Sequence, residues 1–248
     1  MHQLLLDLGN TRIKWSSRSD AGISDVLAIE HADPIWQKQF AAALQSTPPP
    51  TTIALAAVAP EMIVAAASRL LAERWPNVMV QRVYSQLLLG RFRSAYSQPE
   101  RMGVDRFLAA AAAAQIAEAC MVIGCGTALT IDLIQADGQH IGSLIAPAPE
   151  TMRAAVLSRT ARVHWLREGN ALDFGSNTED ALEGGVWMAA AGMVERALRK
   201  ATVRLGTPPA LIAHGGSAPM LAHMLEVPLP IEPLLVMRGL AIWVDAEN

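Results

Sequence analysis

Twice in this chain, about half its length apart, an apolar run ends in a glycine turn. Leu4-Leu5-Leu6 passes through Asp7 into Gly9-Asn10-Thr11, and Met121-Val122-Ile123 passes into Gly124-Cys125-Gly126-Thr127. A second strand-like run follows each turn: Arg12-Ile13-Lys14-Trp15 in the first case, residues 129–136 in the second. A chain that repeats this unit is expected to fold into two similar α/β lobes, each offering a glycine turn at the end of a strand.

The stretches between fit that frame. Residues 34–45, 104–119, 149–158 and 178–203 read as helices, and Pro60 suits the first position of a helix reaching about Trp75. Residues 53–58, 78–83 and 210–213 read as strands. Asp137-Gly138 marks a hairpin that returns along residues 140–145. A short strand is expected at 234–236 before a last helix, and residues 91–102 read as irregular and arginine-rich. The lobe boundary is placed within or after the alanine-rich helix, giving an N-terminal lobe of 1–116 and a C-terminal lobe of 117–248.

Composition narrows the function. The 248 residues are 52% hydrophobic and 17% charged, enough for a buried core and too apolar for disorder. The net charge of −3 gives no broad basic field, so a nucleic-acid-binding module is disfavoured. Two cysteines are too few for a disulfide framework. No basic segment followed by an apolar one opens the sequence, and no apolar run approaches the ~20 residues of a membrane span. A cytoplasmic protein with no membrane partner is the expectation. The chain has no G-x-x-x-x-G-K-[ST] loop, no H-E-x-x-H and no G-x-S-x-G, which sets aside P-loop kinases, zinc peptidases and α/β-hydrolases.

Three segments carry candidate chemistry. In Asp7-Leu8-Gly9-Asn10-Thr11-Arg12-Ile13-Lys14, glycine permits a sharp turn whose N–H groups can cradle phosphate oxygens. Asn10 and Thr11 add side-chain donors. Lys14, one of only three lysines, can act as a point charge on a phosphate, and Asp7 can hold magnesium directly or through water. In Gly124–Asp132, Thr130 and Asp132 fall on one face of a strand, and a hydroxyl beside a carboxylate suits a cation. Cys125 lies in that turn, but no histidine motif accompanies it to make it a nucleophile. In Tyr96…Gly103-Val104-Asp105-Arg106, Asp105 begins a helix, where a carboxylate can orient a hydroxyl and take its proton, and Arg106 can hold a substrate carboxylate. Each segment alone also fits a bland reading: polar hairpins for the first two, a favourable acidic residue in a first helical turn for the third. His214-Gly215-Gly216 reads equally as a ligand-approach site or a tight turn.

Together and in this order, the segments resemble the type III pantothenate kinases, also known as the Bvg accessory factor family. D-x-G-N-T-x-x-K is met by Asp7, Gly9, Asn10, Thr11 and Lys14. G-x-D-R is met by Gly103, Asp105 and Arg106, with Tyr96 upstream, and G-T-A-x-T-x-D by Gly126, Thr127, Ala128, Thr130 and Asp132. The resemblance implies two ribonuclease-H-like lobes of the actin/hexokinase-like ATPase superfamily, with the active site in the inter-lobe cleft. It implies ATP-dependent phosphorylation of pantothenate, the first step of coenzyme A biosynthesis. Asp105 would be the catalytic base, and Tyr96, Gly103, Val104 and Arg106 would line the pantothenate pocket. Asp7, Gly9, Asn10, Thr11 and Lys14 would serve the ATP phosphates and magnesium, joined by Gly126 and Thr127. Asp132 would match a monovalent-cation site for potassium or ammonium. A homodimer is implied as well, with Thr178 resembling the residue that the partner contributes to the pocket. Two departures stand out: Ser143 and Ala148 replace glycines of the family's G-G-x-I-x-P-G, and His214 replaces the usual threonine before Gly215-Gly216. The altered loop keeps a non-enzymatic accessory protein in view, and a sugar kinase of the same superfamily is the other rival.

Overall fold

The structure of the protein, a computed structural model, describes residues 2–160 and 167–247. The chain divides into two compact units. The first contains Met1–Ile116, Asp137–His140 and Pro233–Asn248; the second contains Ala117–Ala136 and Ile141–Glu232.

The first unit is built on β1 (Gln3–Leu8), β2 (Arg12–Ser19), β3 (Gly22–Ile23), β4 (Leu27–Glu30), β5 (Thr52–Ala57) and β6 (Val80–Arg82). These form one sheet in the order β3-β2-β1-β5-β6, with β4 also paired to β2. β1 runs antiparallel to β2 and parallel to β5. Every residue of β1 is buried, so its sequence shows no alternation, as expected of a central strand covered on both faces. On one face α1 (Trp36–Gln45) and α2 (Glu61–Arg74) pack Trp36, Phe40, Leu44, Val64 and Leu71 against Leu4, Leu6 and Leu8. Pro60 takes the cap position of α2 rather than its first helical position.

The first unit continues through β7 (Leu88–Leu89) and β8 (Phe92–Arg93), a 3₁₀ turn at Pro99–Arg101, and α3 (Val104–Ile116). The second unit carries β9 (Cys120–Cys125), β10 (Ala128–Ile134), β11 (His140–Pro147), α4 (Pro149–Arg159), α5 (Thr178–Leu205), β12 (Ala210–His214) and α6 (Ala218–Met224). Its sheet order is β11-β10-β9-β12. β9 runs antiparallel to β10 and parallel to β12. The arrangement β10-β9-β12 therefore repeats β2-β1-β5, and the two glycine turns occupy equivalent hairpins.

Residues 234–236 do not form a strand. They lead into α7 (Leu235–Glu247), which belongs to the first unit and packs on α3. The units thus differ in two places from the contiguous division 1–116 and 117–248: the 137–140 turn and the terminal helix both join the first. The physical reason for the second is visible at Gly239. A Cβ there would lie 2.2 Å from the Leu108 carbonyl oxygen. Only a residue without a side chain lets the α7 backbone press onto α3, and the run Ala109–Ala114, all at most 2% exposed, continues the close contact. The 91–102 segment is also less irregular than expected, since it contains β8 and the 3₁₀ turn.

Gly239→Ala forces backbone apart rather than displacing a flexible side chain. Its expected cost is about 1–3 kcal/mol, read as a lower urea midpoint with an unchanged slope; an unaltered midpoint would show that the α3–α7 contact does not depend on this glycine.

Candidate active site

The first hairpin brings Asp7 and Lys14 together by register. They are direct cross-strand partners on β1 and β2, with Lys14 Nζ 3.5 Å from Asp7 Oδ2. The turn between them is closed by Gly9, whose N–H donates to the Arg12 carbonyl at 2.9 Å. That N–H is therefore spent inside the turn, and the phosphate cradle expected there is left to Asn10 and Thr11, both exposed. Gly9 has no positive φ; what it supplies is tightness, since a Cβ would sit 3.3 Å from the Arg12 oxygen. His31 braces the same turn: its N–H donates to the Thr11 carbonyl at 3.1 Å and its Nε2 lies 3.1 Å from the Gly9 carbonyl. The sequence pattern gave His31 no role; the signal lies in β4, which returns along β2.

Asp7 is 3% exposed, and its Oδ1 is buried without a hydrogen-bond partner. Burial pushes its carboxyl from 3.8 up to about 6; the Lys14 charge opposes the rise and the Asp105 charge adds to it. Asp105 therefore lies within electrostatic reach of Asp7.

Asp105 lies in the first turn of α3. Its Oδ1 accepts the Arg106 N–H at 2.9 Å, which folds the carboxylate back over Gly103. A Cβ on residue 103 would stand 2.7 Å from that oxygen, so glycine two places before the aspartate is a steric requirement of the fold-back. Upstream, Ser85 Oγ donates to the Met102 carbonyl at 2.7 Å and the Tyr96 N–H donates to Ser94 Oγ at 3.1 Å, anchoring the segment that delivers Tyr96. Arg106 is only 8% exposed; its Nη1 donates to Tyr96 Oη at 3.4 Å, and its guanidinium sits 6.0 Å from the Tyr96 ring centre. Val104 is buried beside them. Asp7, Gly9, Asn10, Thr11, Lys14, Tyr96, Gly103, Val104, Asp105 and Arg106 all belong to the first unit.

Gly126, Thr127, Asp132 and Thr178 belong to the second. Gly126 closes its turn as Gly9 does, donating to the Ala128 carbonyl at 3.1 Å, and open space lies where its Cβ would be. The Thr127 carbonyl accepts from Thr151 Oγ1 at 2.9 Å. Thr130 and Asp132 alternate along β10 opposite Gly124 and Val122, both buried. A Cβ on Gly124 would meet Thr130 Oγ1 at 2.6 Å and His214 Nε2 at 3.1 Å, so this glycine admits two polar side chains at the strand end. Thr178 is exposed at the first position of α5. Asn177 caps the helix by accepting the Asp180 N–H at 3.0 Å. Asp180 in turn accepts from Arg167 Nη2 at 3.0 Å and the Asn170 N–H at 2.8 Å, and these bonds hold its carboxyl far below the usual carboxylate range.

Cys125 is fully buried, and burial pushes its thiol up to about 12, which removes it as a nucleophile. Among the described residues no group of three or more His, Cys, Asp or Glu could form a metal cage, and no helix is long and apolar enough to cross a membrane. A cavity of about 700 Å³ opens in the second unit, lined among others by Ile131, Leu133, Leu144, Met193, Arg196 and Lys200. None of the residues expected from the sequence lines it.

The two glycine replacements have a simple account. Among the described residues no residue other than glycine has positive φ, so Ser143 and Ala148 adopt ordinary backbone. The one glycine retained there, Gly142, has φ of +149°.

Comparison with known proteins follows the same lines. The family model for type III pantothenate kinase matches residues 3–200. A type III pantothenate kinase of Stenotrophomonas maltophilia (strain K279a) is 39% identical over 243 residues, covering 98% of this chain and 97% of the relative. In fold, the chain is similar to a conserved Baf-family protein from Campylobacter jejuni, with a TM-score of 0.62, 21% identity and 99% coverage of each chain. It is also similar to a glucokinase from an Antarctic psychrotroph, with a TM-score of 0.51, 12% identity and 99% coverage of each chain. These two likenesses concern the fold, an α/β chain aligned along nearly its whole length.

Because the folded state holds the Asp7 proton more tightly than the unfolded chain, stability on this account is full below 3.8. It falls as pH rises toward 6 and stays lower above. Asp7→Asn is expected to raise the unfolding free energy of the ligand-free protein at pH 7.5 by up to roughly 3 kcal/mol, read as a higher urea midpoint. The gain should vanish as pH drops through this window; a pH-independent difference would contradict the raised carboxyl.

Proposed function

The chain belongs to the type III pantothenate kinase family, and from that premise we propose that it transfers the γ-phosphoryl group of ATP to the primary hydroxyl of pantothenate. The observation that carries the reading is that Asp7, paired with Lys14, also lies within electrostatic reach of Asp105 in the same unit. Two carboxylates and a lysine at strand and helix ends suit a reaction in which charge is spread over phosphoryl oxygens.

In the proposed step the pantothenate oxygen attacks the γ-phosphorus as the bond to the ADP oxygen breaks, and Asp105 receives the hydroxyl proton. Lys14 and the Asn10-Thr11 turn hold phosphate oxygens, with Gly126 and Thr127 serving the same nucleotide from their own hairpin. Arg106 and Tyr96 take the acid end of pantothenate, with Gly103 and Val104 shaping the pocket. Magnesium fits Asp7: a buried carboxylate oxygen with no partner is a ready acceptor for the ion or its bound water, and few protein ligands are needed when phosphates supply the rest. When bound, the ion would neutralise charge on the transferring group. Asp132, with the Thr130 hydroxyl on the same strand face, suits potassium or ammonium. Thr178, exposed at a helix start, suits a contact with the second subunit of a homodimer. A cytoplasmic location accords with this chemistry.

A coupled ADP assay with pantothenate, ATP, magnesium and potassium tests the reading directly: turnover with pantothenate and none with glucose or N-acetyl sugars is expected. Asp105→Asn should lower kcat by about 10²–10⁴-fold without lowering the melting temperature; near-normal turnover would remove Asp105 from the role of base. Lys14→Ala should raise KM for ATP far more than KM for pantothenate.

A further inference from the structure

His140 has no part in the motifs, yet it is 1% exposed and lies in the 137–140 turn that joins the first unit. That turn is docked firmly on the segment leading to Tyr96. The Arg93 N–H donates to the Gly138 carbonyl at 3.0 Å, and Gln139 Nε2 donates to the Arg93 carbonyl at 3.2 Å. Gly138, at φ +85°, comes so close that a Cβ would lie 2.0 Å from the Arg91 oxygen. The turn thereby delivers an imidazole to a fixed place. Its Nδ1 accepts the Ala95 N–H at 3.4 Å, and its ring lies parallel to Tyr96, with planes 6° apart and centres 6.1 Å apart. Its other neighbour is Phe92, at 5.6 Å, which meets Phe107 edge-on at 5.8 Å.

These contacts close on themselves. Arg106 and Phe107 are adjacent on α3. From Phe107 the contacts run through Phe92, His140 and Tyr96 back to Arg106. Asp105 immediately precedes the two helix members. A ring of this kind restrains the orientation of Tyr96, because the stacked imidazole adds a face contact to a hydroxyl contact that is long at 3.4 Å.

We propose that His140 is a positioning residue for the acid end of the substrate: by stacking on Tyr96 and holding Ala95, it fixes the tyrosine against Arg106. This rests on the reading of Tyr96 and Arg106 as pantothenate-binding residues. The premise is tested first: Tyr96→Ala and Arg106→Met in an otherwise active enzyme must each raise KM for pantothenate, and if neither does, that reading fails rather than the role of His140.

With the premise met, His140→Ala is expected to raise KM for pantothenate about tenfold, the size of a lost stack and a loosened guanidinium contact. KM for ATP and kcat should stay within about twofold. His140→Phe keeps a ring on Tyr96 and should restore most of the loss; it also serves if the alanine variant folds poorly. In the cycle with Tyr96→Ala, the double variant should be no worse than Tyr96→Ala alone, since His140 acts through the tyrosine. An unchanged KM for pantothenate in His140→Ala would overturn the proposal. So would equal loss in both KM values and kcat that phenylalanine does not relieve, or losses in the double variant that multiply.

Discussion

A carboxylate buried at the end of a fully buried strand is the constraint around which the first unit is arranged. Asp7 gains a charged partner in Lys14, but one of its oxygens is left without any, and burial resists its ionisation. Such a group weakens a fold unless something outside the chain completes it. The surrounding architecture keeps it in place. β1 is covered on both faces, the Gly9 turn closes tightly behind it, and the hairpin register sets the lysine opposite. The second acid, Asp105, is brought within electrostatic reach by the start of α3. A buried carboxylate whose charge a second carboxylate disfavours is tolerated where a cation-bearing ligand will relieve it. On the proposed reading that ligand is magnesium-bound ATP.

Much of this was legible in the sequence because it is local. A glycine turn after an apolar run specifies a hairpin, and a hairpin's register then fixes which residues face each other; Asp7 and Lys14 follow from spacing alone. The same holds for Thr130 and Asp132 on β10. The repeat of strand order in the two units was likewise written in the two turns. What was not legible depends on docking between distant segments. Residues 234–236 look like a strand because they are short and apolar, but the glycine that commits α7 to α3 makes its contact through 131 positions of chain separation, from Leu108 to Gly239. His31 and His140 are single residues with no pattern around them. Their roles come from a returning strand in one case and a docked turn in the other. Ser143 and Ala148 show the reverse: as glycine replacements they suggested an altered loop, and the backbone there needs no glycine at either position.

The similarity to a glucokinase at 12% identity concerns fold alone. The proposed substrate contacts are concentrated in a short stretch, Tyr96 to Arg106, with the aromatic contacts behind it. Gly103 is required there for a steric reason, and the ring through Phe92 and Phe107 ties the same helical turn to the hydrophobic interior. On the proposed reading, substrate choice and core packing are coupled at this point: a change at Phe92 or Phe107 would reach Arg106 through Tyr96 and His140.

The terminal helix has a consequence for synthesis. α7 covers α3 in the first unit, yet in the chain it comes after the whole second unit. Until α7 has emerged, α3 lacks that cover and rests only on earlier strands such as β5 and β8, which have long been available. The N-terminal half therefore cannot mature as an independent piece during translation. The nascent chain must carry an uncovered apolar helix while the whole second unit is made, a period in which chaperone engagement has its natural target and a prematurely ended message yields no finished first unit.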